Sequence, residues 1–349
     1  MGARTDRNRE KKSSWKKKLG ITLLVILIIV IIIAGIGAGF VMSKLNKVNY
    51  VEIKEEEIEV NEGVSESLSQ YRNIVLFGID ARADTYSAGN RSDCIIIASI
   101  NEKTKEIRLV SVYRDSYLNI TGRGLDKVTH AYSYGGPSLA MSTLNTNLDL
   151  DITEFVAVNF DAVIDIVDAV GGVTIDVESA ELQYLNQYMD DMANEIGRRS
   201  SHVSSAGRQT LDGVQALAYS RIRYTSGGDY KRTERMRDVL MAVFDKAKKM
   251  SIGQLNNLAD KILPSVYTNI SSGEIISLIP QVASYSVSDS IGWPYEVKGI
   301  TLDRWYGVPV TLEDNVIQLH EALFEDEEYE PSDAVVSTSN SIIKKTGYR

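Results

Sequence analysis

The chain has 349 residues, one cysteine, and 38 basic against 47 acidic side chains, for a net charge of −9. A single cysteine excludes an intramolecular disulfide framework, so an ordinary apolar core must hold the fold, and the length is ample for one large domain. Eight basic and two acidic side chains fall in residues 1–18; without them 30 basic and 45 acidic residues remain, a net of −15 that speaks against nucleic acid as a partner.

Arg4, Arg7, Arg9, Lys11, Lys12, Lys16, Lys17 and Lys18 make residues 1–20 a basic segment, followed by an almost wholly apolar stretch over 21–42. That length is close to the roughly 20 residues a helix needs to cross a bilayer. It predicts a single-pass membrane anchor with a cytoplasmic N-terminus and everything after Met42 outside the cytoplasm. A cleaved signal peptide is the competing reading; its apolar region is normally roughly 7–15 residues and ends at a small-residue site, which 34–39 offers only late in the span. The glycines there suit helix packing in lipid better than a dinucleotide fingerprint, which needs a preceding strand. Residues 43–70, with Glu55-Glu56-Glu57, read as an acidic stalk, 71–324 as the folded domain, and 325–349 as a loose polar tail.

Within the domain, apolar runs at 73–80, 94–100 and 107–112 read as buried strands, the last two forming a hairpin turned at 101–104. Helices are expected over 138–148, 162–170, 211–219 and 232–249, strands over 155–160 and 173–177, and a late strand over 297–302. Strands and helices mixed along one chain indicate an α/β domain around a mixed central β-sheet flanked by helices. Cys94, opening an apolar strand, is expected to be a buried, inert thiol.

A basic island stands out against the acidic background: Arg221, Arg223, Lys231, Arg232, Arg235 and Arg237. Guanidinium stays charged and forks bidentately onto phosphate, so the island suggests a site for a multiply charged anion. A solvated helix face paired with Asp229, Glu234 and Asp238 explains the charge equally well. Spacing favours convergence: Arg221 and Arg223 share a face if the chain there is extended, Arg232 and Arg235 if it is helical, and Gly227-Gly228 supplies a turn between them. Acids and arginines also mark the strand ends: Asp80 and Arg82, Arg91 and Asp93, Arg114 and Asp115. Two carboxylates with little other ligand chemistry suit Mg²⁺, which usually completes its octahedron with water and substrate phosphate. Structural salt bridges at the sheet edge are the alternative.

These residues carry a resemblance. The blocks Asn73-Ile-Val-Leu-Phe-Gly-Ile-Asp-Ala-Arg82, Arg91-Ser-Asp93, Ser111-Val-Tyr-Arg-Asp115, Lys127-Val-Thr-His-Ala-Tyr-Ser-Tyr-Gly-Gly136, Val167-Asp-Ala-Val-Gly-Gly-Val173, Leu211-Asp-Gly-Val-Gln-Ala-Leu-Ala-Tyr-Ser-Arg-Ile-Arg223 and 229–235 run in order over about 71–250. Together they resemble the LytR-CpsA-Psr family of cell-wall polymer ligases, which also begin with a short cytoplasmic segment and one membrane helix. The resemblance implies a membrane-anchored phosphotransferase of Gram-positive-type bacteria. Such an enzyme moves a glycopolymer (teichoic acid, capsule or another glycan) from a polyprenyl-pyrophosphate carrier to peptidoglycan. By the same resemblance, Asp80 and Asp93 bind Mg²⁺, with Mn²⁺ as a substitute, and Arg82, Arg91, Arg114 and Lys127 contact pyrophosphate. Arg221, Arg223 and Arg232 are the catalytic arginines, Arg235 an adjoining basic position that also contacts pyrophosphate, and Asp93 or Asp80 a weak acceptor for the hydroxyl proton. The family places the polyprenyl tail between sheet and helices, where Phe155, Val158, Phe160, Val163, Ile164 and Val167 are candidates; each also reads as ordinary core. Met236 stands where the family usually has Gln. With Val239, Leu240 and Val243 it makes an i, i+3, i+4, i+7 stripe, which predicts a core position.

Other chemistries find no support in the sequence. His130, His202 and His320 are isolated, and the ectodomain carries neither a nucleophile elbow nor a P-loop. Two functional alternatives stay open: a hydrolase using water on the same lipid pyrophosphate, and a non-catalytic membrane regulator that binds a wall glycopolymer.

Overall fold

The computed structural model describes residues 49–79, 88–247, 249–250, 254, 257, 261, 263–271 and 286–349. The expected basic segment and membrane span lie outside the described residues, as do Asp80 and Arg82; among the described residues no helix is long and apolar enough to cross a membrane. In chain order the elements are β1 (Asn49–Tyr50), α1 (Val64–Ser67), β2 (Tyr71–Ile79), β3 (Ser92–Asn101), β4 (Glu106–Val112), β5 (Tyr117–Ile120), β6 (Gly124–Lys127) and α2 (Val128–Leu148). There follow β7 (Glu154–Asn159), α3 (Phe160–Ala169), β8 (Val173–Val177), α4 (Ser179–Glu195), β9 (Gly207–Leu211), α5 (Gly213–Arg221) and α6 (Gly228–Ala247). The chain closes with β10 (Val266–Thr268), β11 (Ser286–Trp293), β12 (Val297–Thr301), β13 (Trp305–Pro309), α7 (Leu312–Phe324) and α8 (Asp333–Thr346).

Seven strands form the central sheet in the order β1-β10-β7-β2-β3-β4-β11. It is mixed: β2 runs parallel to β7 and β11 to β4, whereas β2–β3 and β3–β4 are antiparallel. The β3–β4 hairpin is the expected one, its turn fixed by the Asn101 side chain accepting from the Lys103 and Thr104 backbone N–H groups at 3.0 Å. Strand alternation sorts the core onto two faces. Ile74, Leu76, Ile96 and Ala98 meet α3, α4, α5 and α6 on one side. Val75, Phe77, Ile95 and Ile97 meet α2, α7 and α8 on the other.

Boundaries move where local capping outweighs hydrophobic pattern. The Asn159 side chain accepts from the Ala162 N–H, so α3 begins at Phe160, which the pattern reads as the end of a strand. Asp212 and Gln215 form a capping box, so Leu211 closes β9 and the helix starts after it. The late strand exists, but it pairs with β13 in a separate hairpin rather than joining the central sheet.

Two expected segments are corrected. From Asn49 onward the acidic stalk belongs to the domain: β1 pairs with β10, Val51, Ile53, Ile58 and Val60 pack on the core, and Val64 and Leu68 are buried. Apolar residues spaced among the glutamates let one side of the segment face the protein while the acids face water. The loose tail is instead a packed helix, α8, capped by Ser332, ended by Gly347 in the left-handed region, and burying Val335 and Ile342. Asp149 ties its start down by accepting from the Tyr329 hydroxyl and from the Ser332 N–H and hydroxyl.

Candidate active site

The site lies where the C-terminal ends of β2 and β7 meet the start of β3. Asp93, second residue of β3, is its hub. Arg114, just past β4, donates from Nη1 to Asp93 Oδ1 at 2.9 Å, and Arg223 Nη2 lies 3.8 Å from Asp93 Oδ2. Arg232, buried in α6, donates to the Asp93 backbone carbonyl at 3.5 Å. A second acid continues the row: Asp115 is 8% exposed, its Oδ2 lies 3.4 Å from Arg114 Nε, and its Oδ1 accepts from Lys127 Nζ at 2.6 Å. Among the described residues, Arg114, Arg223, Arg232 and Lys127 thus gather around Asp93 and Asp115.

Arg221 sits at the last turn of α5, where a cation complements the helix dipole, so the extended Arg221–Arg223 pair is not formed. Its guanidinium lies 5.3 Å from the Phe160 ring centroid and 5.8 Å from that of Tyr188, with Glu195 at 3.4 Å. Burial raises the Tyr188 phenol above its ordinary range, and the opposing fields of Arg223, Arg221 and Arg232 all reach it. The turn expected at Gly227-Gly228 is present, both residues having positive φ (90° and 51°). Arg91 is exposed immediately before β3.

Arg235 departs from its expected role. Its side chain and that of Glu181 are each 1% exposed, and they pair at 2.7 Å from Nε to Oε1. It also donates to the Ile222 carbonyl at 2.9 Å and to the Thr225 hydroxyl, tying down the segment that carries Arg223. Arg232 and Arg235 lie three apart on α6 and yet meet different neighbours: one reaches the sheet end, the other α4.

Beside this cluster opens an apolar slot of about 110 Å³ between the sheet and α3, α5 and α6. That is room for several water-sized groups, a water needing roughly 10–15 Å³, but the walls offer too few polar partners to hold water. Val158, Phe160, Val163 and Val167 line it, together with Leu76, Gly78 and Cys94. Phe155 and Ile164 do not. Phe155 is three residues from Val158, an odd spacing that sends it through the sheet to the opposite core; Ile164 is consumed by α5, its carbonyl lying where a Cβ on Gly213 would sit, at 2.3 Å. Gly78 keeps the slot open, since a Cβ there would approach the Cys94 Cβ to 2.8 Å. The whole stripe Met236, Val239, Leu240 and Val243 faces the slot, so the expected core positions are its wall.

Cys94 is half-buried in that wall, and burial pushes its thiol up to about 11 despite the opposing field of Arg232. A thiolate is the nucleophile, so iodoacetamide should leave Cys94 unmodified at neutral pH and label it increasingly as pH approaches 11. Rapid labelling at pH 7, followed by mass spectrometry, would contradict this. Among the described residues no three His, Cys, Asp or Glu side chains gather as a metal-ligand cluster. Asp93 alone still fits a hard cation that takes one or two carboxylates and fills its other positions with water and substrate phosphate.

The family model for LytR_cpsA_psr matches residues 39–298. The chain belongs to the LytR-CpsA-Psr family. Two family relatives bear the name polyisoprenyl-teichoic acid–peptidoglycan teichoic acid transferase. TagT of Bacillus subtilis (strain 168) is 31% identical over 307 residues, covering 84% of this chain and 91% of that protein. TagU of Enterococcus faecalis (strain ATCC 700802 / V583) is 32% identical over 263 residues, covering 74% and 79%. Among solved LytR-CpsA-Psr structures, TagT bound to LIIa-WTA superposes with a TM-score of 0.59 at 28% identity, covering 81% of this chain and 100% of that one. A TagT structure with bound octaprenyl pyrophosphate lipid superposes with a TM-score of 0.54 at 27% identity, covering 79% and 99%. These likenesses agree with the mixed α/β architecture described above.

The sequence pointed to Asp93, Arg114, Lys127, Arg223 and Arg232, which the fold gathers. It named Asp115 as an acid next to Arg114 at a strand end but gave it no role, and it missed Tyr188. Tyr188 had no signal, because nothing local in α4 says that its face meets α5.

Proposed function

We propose that this chain is a membrane-anchored phosphotransferase that moves teichoic acid or another wall glycopolymer from a polyprenyl-pyrophosphate carrier to peptidoglycan. One observation carries the reading: a cation-rich cluster sits at the mouth of an apolar slot, so a single ligand with a charged head and a hydrocarbon tail satisfies both. The names of the relatives and the lipid-bound TagT structure support the same chemistry.

The slot takes the polyprenyl tail, and Arg114, Arg223, Arg232 and Lys127 hold the two phosphates, with Arg221 and Arg91 at the rim. An acceptor hydroxyl attacks the polymer-linked phosphorus; the new O–P bond forms as the bond to the bridging oxygen breaks. Polyprenyl phosphate departs with the electron pair, and the proton passes to water. Charge builds on the phosphoryl oxygens, where fixed guanidinium groups stabilise it without reorganising. Asp93, held by Arg114 and Arg223, is a weak base and serves to orient these groups. Mg²⁺ or Mn²⁺, held by Asp93 with Asp80, would neutralise charge across the two phosphates.

Purified full-length protein in detergent, given a lipid-linked teichoic acid precursor and peptidoglycan oligomers with Mg²⁺, should yield covalently linked product. Release of free polymer alone would indicate a hydrolase, and retention without turnover a binding protein. For the anchor, protease added to intact protoplasts should degrade the domain after Met42 and spare residues 1–18, eight of which are basic. Protection of the domain would overturn the extracytoplasmic placement.

A further inference from the structure

A second pocket, of about 470 Å³, opens on the opposite face of the domain from the lipid slot, among the β5–β6 hairpin, the β12–β13 turn and α8. Tyr117, Arg123, Asp126, Tyr134, Asp303 and Lys345 border it. Its size suits a small organic ligand. Asp126 accepts from the Tyr134 hydroxyl at 2.7 Å and from the Lys127 N–H at 2.8 Å, with His130 Nδ1 at 2.9 Å. Asp303 accepts from the Tyr306 hydroxyl at 2.6 Å and from Arg304 at 3.0 Å. Each carboxylate has about four acceptor positions, so both keep lone pairs for a ligand.

The composition selects the ligand class. Two carboxylates balance the two cations of the lining, so no net positive charge selects a phosphate, and the mixed polar wall gives a lipid tail no continuous apolar surface. Acceptors, two exposed cations (Arg123 and Lys345) and the exposed ring of Tyr134 together suit a hydroxyl-rich ring: hydroxyls donate to the acids and accept from the cations, and a C–H face lies on the aromatic. That is the surface of a sugar.

Position then selects which sugar. The row of charges described above ends here: Lys127, paired with Asp115, lies 5.8 Å from the centroid of the Tyr306 ring, which lines the pocket, and Asp126 is its chain neighbour. The slot, lined by Cys94, thus adjoins the Asp93 end of the row, and the pocket, lined by Asp126 and Tyr306, its Lys127 end. In phosphoryl transfer the attacking and leaving oxygens are roughly in line across phosphorus. The leaving group carries the polyprenyl tail and lies toward the slot, so the nucleophile comes from the far side.

We propose that this pocket is the acceptor subsite, binding a sugar ring of the peptidoglycan glycan strand so that a neighbouring hydroxyl reaches the phosphates beside Lys127. The proposal rests on the transferase reading above. Burial of Asp126 opposes ionisation, but the hydrogen bonds from Tyr134, His130 and Lys127 outweigh it and hold the carboxyl below its ordinary range, so it stays an acceptor at neutral pH.

The test uses the full-length chain in detergent and peptidoglycan oligomers released by muramidase, with calorimetric titration beside transfer kinetics for the wild type, Arg123→Ala and Tyr134→Ala. Both side chains are exposed, so matching thermal midpoints should certify the fold. The wild type is expected to bind oligomers without donor. Each variant should bind them roughly tenfold more weakly, the size of one charge-assisted contact. The acceptor KM should rise by the same factor while kcat and the donor KM stay unchanged. Undiminished oligomer binding by the variants, a rise in donor KM instead, or no binding by the wild type would overturn the proposal. Wild-type binding without transfer, lost in the variants, would uphold the pocket and overturn the transferase reading.

Discussion

Replacing Arg223 with alanine is expected to lower polymer transfer by on the order of 10³–10⁵-fold while leaving the domain folded. Its side chain is 36% exposed and lies 3.8 Å from Asp93, so its pairing is screened by water and contributes little to stability. The loss falls on the transition state, where charge spreads over the phosphoryl oxygens that the guanidinium faces. Arg223→Lys should rescue little, because an ammonium cannot fork across two oxygens. Binding of polyprenyl pyrophosphate should persist through the apolar slot. Transfer rate, thermal midpoint and lipid binding measured on one preparation decide it: transfer at the wild-type rate would make the cluster structural.

Arg235 should behave in the opposite way. Arg235→Ala leaves the Glu181 carboxylate buried at 1% exposure without its partner, and Glu181→Ala does the same to the guanidinium. Breaking a buried pair costs about 3–5 kcal/mol. For a domain of this size that is a fall in Tm on the order of 10 °C. The pair also organises its surroundings: Glu181 accepts from the Glu178 N–H at the start of α4, and Arg235 holds Ile222 and Thr225 on either side of Arg223. A joint Arg235→Met and Glu181→Leu change removes both charges and should recover much of the stability while transfer stays low, because the segment carrying Arg223 loses its anchor. A single variant that keeps the wild-type Tm and loses only transfer would return Arg235 to the pyrophosphate-contacting role.

Much of this was legible residue by residue. The β3–β4 hairpin is announced by two apolar runs around Asn101, whose side chain itself closes the turn. The α8 helix was equally readable, with Ser332 as cap, Gly347 as terminator and Val335 and Ile342 seven apart; the polar composition of its outer face concealed it. The placement of Phe155 and Val158 on one wall contradicts strand alternation, which needs no structure to apply.

Local chemistry dictates what depends on neighbours along the chain: strand and helix identity, the caps at Asn159 and Asp212, and the glycine turn after Tyr224. These follow from backbone sterics and side-chain hydrogen bonds within a few residues. Only the tertiary structure decided which partner each charge meets. Arg232 and Arg235 occupy adjacent turns of α6 with the same chemistry, but one reaches the Asp93 carbonyl and the other enters α4 to meet Glu181. Both guanidinium groups are buried, but Arg235 is enclosed against an acid, which fixes it as structure, whereas Arg232 reaches the edge of the sheet beside Asp93, in the cluster proposed to take the anionic ligand.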